Sequence, residues 1–374
     1  MKIAKVEVFH VRPRWSFVRV TTDEGLEGFG EANLEGRSRT VEAAIRDLLP
    51  QLLGQDPRQI ERLWQAMYRR AFYRGGPILM SAISGVEQAL WDILGKSLGV
   101  PVSQLLGGAV RDRIRVYCHV GGDTPQEAAS QAEKARSAGF TAVKTGLSGP
   151  ARLLESPAFI DRELERWEAM RSALGPTVDV AIDFHGRVGP ALAITLAKEI
   201  ERSRIRPLFI EEPCLPENVD ALVQIAKSTT LPIATGERLF GKWGFREVLE
   251  KQAAAILQPD LAHCGGILEG KKIAAMAETY FVAFAPHNPL GPINLAASLN
   301  LVATVPNFLA QEQVNVGDGY LMEPFRIVEG YIEVPRGPGL GITVDASALE
   351  RHRYEGDWLN PTWIHEEDGS IADW

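Results

Sequence analysis

A chain of 374 residues is longer than one ordinary compact domain and leaves room for a barrel of about 250 residues beside a smaller partner. Apolar residues make up 45% and charged residues 24%, ample for a globular core, and the net charge of −8 argues against a nucleic-acid partner. No run approaches 18 uninterrupted apolar residues, so no membrane span is predicted.

The opening residues MKIAKVEVFHVRPRW alternate like a strand and lack the apolar core and cleavage site of a secretion signal. A second alternating run, FVRVTTDEGLEGFGEA, is turned at Asp23–Gly25, so residues 3–33 predict a small sheet. From Val41 to about Gly99 apolar positions recur at three- and four-residue spacing, which predicts helices. Residues 1–113 are therefore expected to form an α+β domain. After Arg113 short strands alternate with amphipathic helices. The strands are VYCHV (116–120), AVKTG (142–146), VDVAIDF (178–184), PLFIEE (207–212), PIATGE (232–237), AAILQPD (254–260), VAFAPH (282–287) and NFLAQE (307–312). Eight evenly spaced units favour a closed parallel barrel over 114–327 rather than an open doubly wound sheet. The tail from about 328 to 374, rich in Pro, Gly and Trp, is expected to fold back and complete the first domain. Cys118, Cys214 and Cys264 are odd in number and show no CxxC spacing, which suits a reducing cytoplasm and disfavours a disulfide framework or a zinc ribbon.

The informative feature is where polar residues fall. Lys144, Asp183, Glu211, Glu237, Asp260, His287 and Glu312 each stand at or near the C-terminal end of a successive strand. From Asp183 onward their separations are 28, 26, 23, 27 and 25 residues, about one βα unit each. Barrel enzymes present their functional groups at that rim. Asp183, Glu211 and Glu237 come from three adjacent strands, and their oxygens suit part of an octahedral Mg²⁺ shell. The bland alternative is an ion network with Arg187 or Arg238. Glu212 should face the other side of its strand, because side chains alternate.

His185, two residues past Asp183, shares its face and is a candidate proton donor; alone it would read as a buried histidine satisfied by a backbone carbonyl. His287 and Asp260 end neighbouring strands, within reach of a hydrogen bond that would fix the imidazole tautomer, so His287 is a candidate general base. Lys144 and Glu312 are candidates for substrate contact, against a solvated charge and an ion pair respectively. Loops around Arg12–Trp15 and Phe72–Gly76 are expected to close over the substrate, with Arg14, Trp15 and Tyr73 contacting it. His10, His119, His263, His352 and His365 are assigned no catalytic role.

The set DFHGR (183–187), FIEEP (209–213), GER (236–238), LQPDLAHCGGI (257–267) and APHNPLGP (285–292) resembles the mandelate racemase subgroup of the enolase superfamily. The likeness extends over essentially the whole chain, through FYRGGPILMSAI (72–83) and ALWDILGK (89–96). With RPRW (12–15) and the tail WLNPTWIHEEDGSIADW (358–374), it is nearest to the D-galactonate dehydratases of that subgroup. The resemblance implies a capping α+β domain on a modified TIM barrel, (β/α)₇β. It also implies Mg²⁺ on Asp183, Glu211 and Glu237, a His287–Asp260 base, His185 as acid, and a homo-oligomer, commonly an octamer. Racemases of the subgroup carry a KxK motif on the second barrel strand; here it reads Lys144-Thr145-Gly146, and Gly146 cannot be a base.

The implied reaction is abstraction of the proton at C2 beside a carboxylate, then loss of the C3 hydroxyl, from a small acid sugar resembling D-galactonate. Alternatives left open are another acid sugar (gluconate, mannonate or an aldarate), a 1,1-proton transfer, and a catalytically silent acid-sugar-binding protein.

Overall fold

The computed structural model describes residues 1–70 and 72–374. It opens with an antiparallel sheet in the order β1 (Ile3–Val11), β2 (Trp15–Thr22), β3 (Glu27–Glu31). The β2–β3 turn falls on the Asp23–Gly25 signal, where Gly25 takes a φ of 80°. Helices α1 (Ser38–Leu52), α2 (Ile60–Arg69) and α3 (Pro77–Leu98) occupy the predicted helical run, and the short α4 (Val102–Leu105) leads on to the barrel. Pro77 starts α3 in the first turn, where no N–H is needed, and left-handed Gly99 stops it. Strand β3 lies on α3 backbone to backbone. A Cβ on Gly30 would stand 1.9 Å from the Gly85 carbonyl oxygen, so only glycine fits there.

Then strand and helix alternate: β4 (Arg113–His119), α5 (Pro125–Ser137), β5 (Ala142–Gly146), α6 (Pro157–Leu174), β6 (Asp179–Asp183), α7 (Pro190–Arg202), β7 (Phe209–Glu211) and α8 (Val219–Lys227). The second half continues with β8 (Ile233–Thr235), α9 (Gly241–Glu250), β9 (Ile256–Leu257), α10 (Ile267–Thr279), β10 (Ala283–Phe284), α11 (Pro292–Val302) and β11 (Gln311–Glu312). Each of β4 to β9 pairs in parallel with the next, and β11 pairs in parallel with β4. A parallel bridge between Phe284 and Phe308 spans the remaining gap, so the sheet closes on itself. Eight strands with seven intervening helices make the expected modified barrel, (β/α)₇β. Its interior is packed rather than open: Ala181, Phe209, Ala234, Ile256 and Ala285 form one buried cluster, and Tyr117, Ala142 and Ala310 another.

The tail touches both parts of the molecule. Strand β12 (Tyr331–Glu333) pairs antiparallel with β4, Leu340 N–H donates to Asp92 on α3, and α12 (Ala346–Arg351) lies against β1. Residues 353–360 still run along the N-terminal domain, with a bridge between Arg353 and Val11 and Arg39 donating to the Glu355 carbonyl, before the chain reaches the barrel mouth. There a two-stranded ribbon, β13 (Trp363–Ile364) and β14 (Ile371–Ala372), is held by Arg152, 3.3 Å from Glu367 and 3.1 Å from Asp368. Among the described residues no helix is long and apolar enough to cross a membrane.

Candidate active site

The regular strands stop at the rim. Asp183 and Glu211 are the last residues of β6 and β7, while Glu237, Asp260 and His287 stand just past β8, β9 and β10. Register does the rest: Gly146, Asp183 and Glu211 are successive partners across β5, β6 and β7, so they form one row at the mouth. Asp183, Glu211 and Glu237 each bring a carboxylate oxygen within 4.8 Å of the others, and all three are buried. Glu211 Oε2 is sealed from water and accepts no hydrogen bond, and the buried Glu237 Oε2 has only the His287 ring nitrogen facing it, at 3.2 Å. Buried oxygens left without partners are costly, and a hard divalent cation is the partner that suits this donor set. Glu212 is not part of the trio; it ion-pairs with Arg238.

The electrostatics follow from this crowding. Burial pushes the Glu211 carboxyl far up, and the neighbouring acids add to it against Lys144. Burial also opposes ionisation of Asp183, but Lys144 and His185 outweigh it and hold that carboxyl below its usual range. Lys144 is the common counter-charge, 3.0 Å from Glu211, 3.6 Å from Asp183 and 2.7 Å from Glu312.

His185 donates its backbone N–H to Asp183 at 2.7 Å, and its Nδ1 lies 3.3 Å from the same carboxylate. A φ of 55° turns it back over the mouth. His287 stands just past β10, four strands round the eight-stranded ring from Asp183 at the end of β6 and His185 beyond it, and two from Glu237 beyond β8. Its Nδ1 is 2.8 Å from Asp260 and its Nε2 is 3.2 Å from Glu237. Burial would lower the His287 pKa, but Glu237, Glu312 and Asp260 together raise it well above the ordinary value.

These groups open on a cavity of about 810 Å³, lined by Lys144, Asp183, His185, Glu237 and His287 and also by Arg14 and Trp15. Glu312 is fully buried beneath it, bound to Lys144, His119 and the Asn288 N–H. Of the residues expected to contact substrate, Lys144, Arg14 and Trp15 line this cavity and Glu312 does not, while Tyr73 is 82% exposed and borders a separate groove with Leu48, Met67 and Leu79.

Sequence reading passed over other residues of the cavity. His119, given no role, ends β4 on the wall and pairs with Glu312; its place at a strand end was the available signal. Arg187 also lines the cavity. Its Nη1 donates to the carbonyls of Leu147 (3.4 Å) and Gly149 (3.1 Å), and its guanidinium stacks on Trp363. Among the described residues it has no carboxylate partner, unlike Arg14, which is 2.6 Å from Glu35. Trp358 and Trp374 come from the tail, with Trp374 edge-on to His185 at 5.7 Å between ring centroids. No strand spacing could signal them.

Comparison with known proteins places this architecture. Residues 8–107 match the family described as mandelate racemase / muconate lactonizing enzyme, N-terminal domain, and residues 127–348 match the enolase C-terminal domain-like family. The chain belongs to the mandelate racemase subgroup of the enolase superfamily. It is an enzyme of that subgroup. Over the full length of both chains it is 49% identical to a D-galactonate dehydratase of Ralstonia pickettii (strain 12J), and 47% identical to one of Variovorax paradoxus (strain S110). A solved mandelate racemase/muconate lactonizing enzyme from a Sulfitobacter species superposes with a TM-score of 0.93 at 33% identity, covering all of both chains. Another from Jannaschia sp. CCS1 gives 0.90 at 36% identity, covering 95% of this chain and 98% of its own. Within this subgroup, the buried trio fits a divalent-metal site.

Proposed function

We propose that the chain is an acid-sugar dehydratase, a hydro-lyase that removes the C2 proton beside a carboxylate and eliminates the C3 hydroxyl to give a 2-keto-3-deoxy sugar acid. D-galactonate is the substrate favoured. One observation carries the reading: two imidazoles stand across the mouth from each other, each against a different carboxylate of the trio. Elimination of water needs a base on one side of the substrate and an acid for the departing oxygen. The full-length likeness to D-galactonate dehydratases supports the same reaction.

Asp183, Glu211 and Glu237 would hold Mg²⁺, which would stabilise the charge building on the substrate carboxylate as C2 is deprotonated and offset the acids' field on His287. Lys144, the cation among the acids, donates to the same carboxylate oxygens. His287 takes the C2 proton on Nε2 while Asp260 holds Nδ1–H. His185, whose Nδ1 faces Asp183, delivers a proton to the C3 oxygen, which leaves as water; the enol then takes up a proton at C3 and becomes the ketone. Gly146 offers no second base, which favours elimination over racemisation. Arg14, Trp15 and Arg187 receive the polyol arm, with residues 1–113 and 328–374 acting as the cap on the 114–327 barrel. The setting that goes with this reading is cytoplasmic, consistent with three free cysteines, and homo-oligomeric, octameric by family likeness.

The test is a 2-keto-acid assay against a panel of aldonates and aldarates with and without Mg²⁺. D-galactonate should be converted only with the metal present. If no acid sugar yields a 2-keto acid in the loaded enzyme, the proposal is wrong.

A further inference from the structure

A chain of buried amides runs from α3, in the helical layer, to the histidine proposed as base. Gln88 on α3, Asn294 on α11 and Asp260 are all fully buried, and none lines the cavity. The orientation of the Gln88 amide is not free. Its Nε2 donates to the Leu261 carbonyl at 3.0 Å, a group that only accepts, and its Oε1 takes the Glu31 N–H at 3.0 Å, a group that only donates. The second Nε2 proton therefore points to Asn294 Oδ1, 2.9 Å away. Asn294 must in turn present Nδ2, which donates to Asp260 Oδ1 at 3.0 Å and to Asn288 Oδ1 at 2.9 Å. The Ala262 N–H gives Asp260 Oδ1 a further bond at 2.7 Å. With Oδ1 occupied by donors, Oδ2 is left to accept from His287 Nδ1 at 2.8 Å.

Every link has a single allowed polarity, set at the far end by two backbone groups of fixed character. Amides keep that polarity at any pH at which the protein is folded. We infer that Gln88 and Asn294 are positioning residues for proton abstraction: they orient Asp260 so that His287 carries its proton on Nδ1 and keeps the Nε2 lone pair for substrate. The inference rests on His287 being the base of the proposed dehydration. It ties the helical layer to the chemistry of the barrel through groups that never touch substrate.

Two isosteric variants test it without changing volume. Asn294→Asp sets a carboxylate oxygen against Asp260, and Gln88→Glu removes the donor that orients Asn294. In the Mg²⁺-loaded full-length enzyme, kcat for C2 proton exchange in D₂O and for 2-keto-acid formation should both fall about 10- to 100-fold, with KM within about twofold. Ser298→Ala, on the same helix and with a buried hydroxyl that bonds to nothing, should leave both rates unchanged. Should Asn294→Asp fail to fold, Gln88→Glu carries the same test, with folding checked by circular dichroism. Unchanged kcat in either folded, loaded variant overturns the inference, as does an equal loss in Ser298→Ala. If wild type acts on no acid sugar, the functional proposal falls instead. The inference is then read from ¹⁵N shifts of the His287 ring in the Mg²⁺-loaded protein at a pH where the ring is neutral: a proton on Nδ1 alone in wild type and a changed tautomer in the variants support it, and identical shifts overturn it.

Discussion

Asp183 and Glu211 are register partners on adjacent strands, and Lys144 reaches both carboxylates. Backbone pairing forces two acids side by side where their charges repel, and one ammonium shared with Glu312 cannot neutralise them together with Glu237. Such an arrangement persists because the rest of the barrel over-determines it. A divalent cation bound to the folded state alone would relieve it and stabilise the protein by mass action.

Mg²⁺ at about 100 times its dissociation constant should accordingly stabilise the fold by roughly 2.7 kcal/mol, and chelation should stop turnover. Glu211→Gln, with one acid fewer, should lose most of the metal-dependent gain in Tm. Calorimetry with and without the metal measures this, and superimposable melts for wild type would count against the site.

The two histidines should separate the half-reactions. His185→Asn is expected to keep exchange of the C2 proton with solvent while losing dehydration, whereas His287→Asn should abolish both. Deuterium incorporation followed beside 2-keto-acid formation tells them apart. Near wild-type dehydration by His287→Asn would refute its role as base.

Arg187 is the cavity cation that forms no ion pair with a described carboxylate, although Trp363 and two carbonyls hold it in place. A hydrogen bond from a charged donor contributes about 1.5–3 kcal/mol. Arg187→Met should therefore raise KM for the acid sugar about 10- to 100-fold with a smaller change in kcat. A KM that stays put would show that the guanidinium serves only to hold the loop.

Without metal, His287 should also shape stability against pH. Its folded pKa is raised above the ordinary 6.5 because Glu237, Glu312 and Asp260 outweigh the opposing effect of burial. The stabilisation is then complete below about pH 6.5 and is lost as pH rises through the raised value. Denaturant unfolding of chelated wild type should weaken over that range, and the His287→Asn profile should be flatter. Parallel profiles would mean that the imidazole is not held by those acids.

Much of the site was legible because a barrel repeats. Each βα unit returns the chain to the same rim, so residues spaced by one unit, from Asp183 to Glu312, were recognisable as neighbours before any coordinates. Lys144 lies outside that spacing and was legible only from its place near the end of its own strand. The repeat did not extend to Tyr73, because loops have no period; that residue borders a separate groove. It was silent on Trp358 and Trp374, which reach the cavity from a tail with no repeating pattern.

Alternation, period and spacing, all local properties of the chain, thus determined the parallel barrel, its helical cap, and the acids and histidines at the mouth. Tertiary structure alone decided which charge answers which: Glu312 to Lys144 and His119, Glu212 to Arg238, Gln88 through Asn294 to Asp260. Those contacts join residues far apart in the chain, and they form only when closure of the sheet and packing of α3 bring their elements within hydrogen-bonding range. Short-range pattern holds no record of such distances.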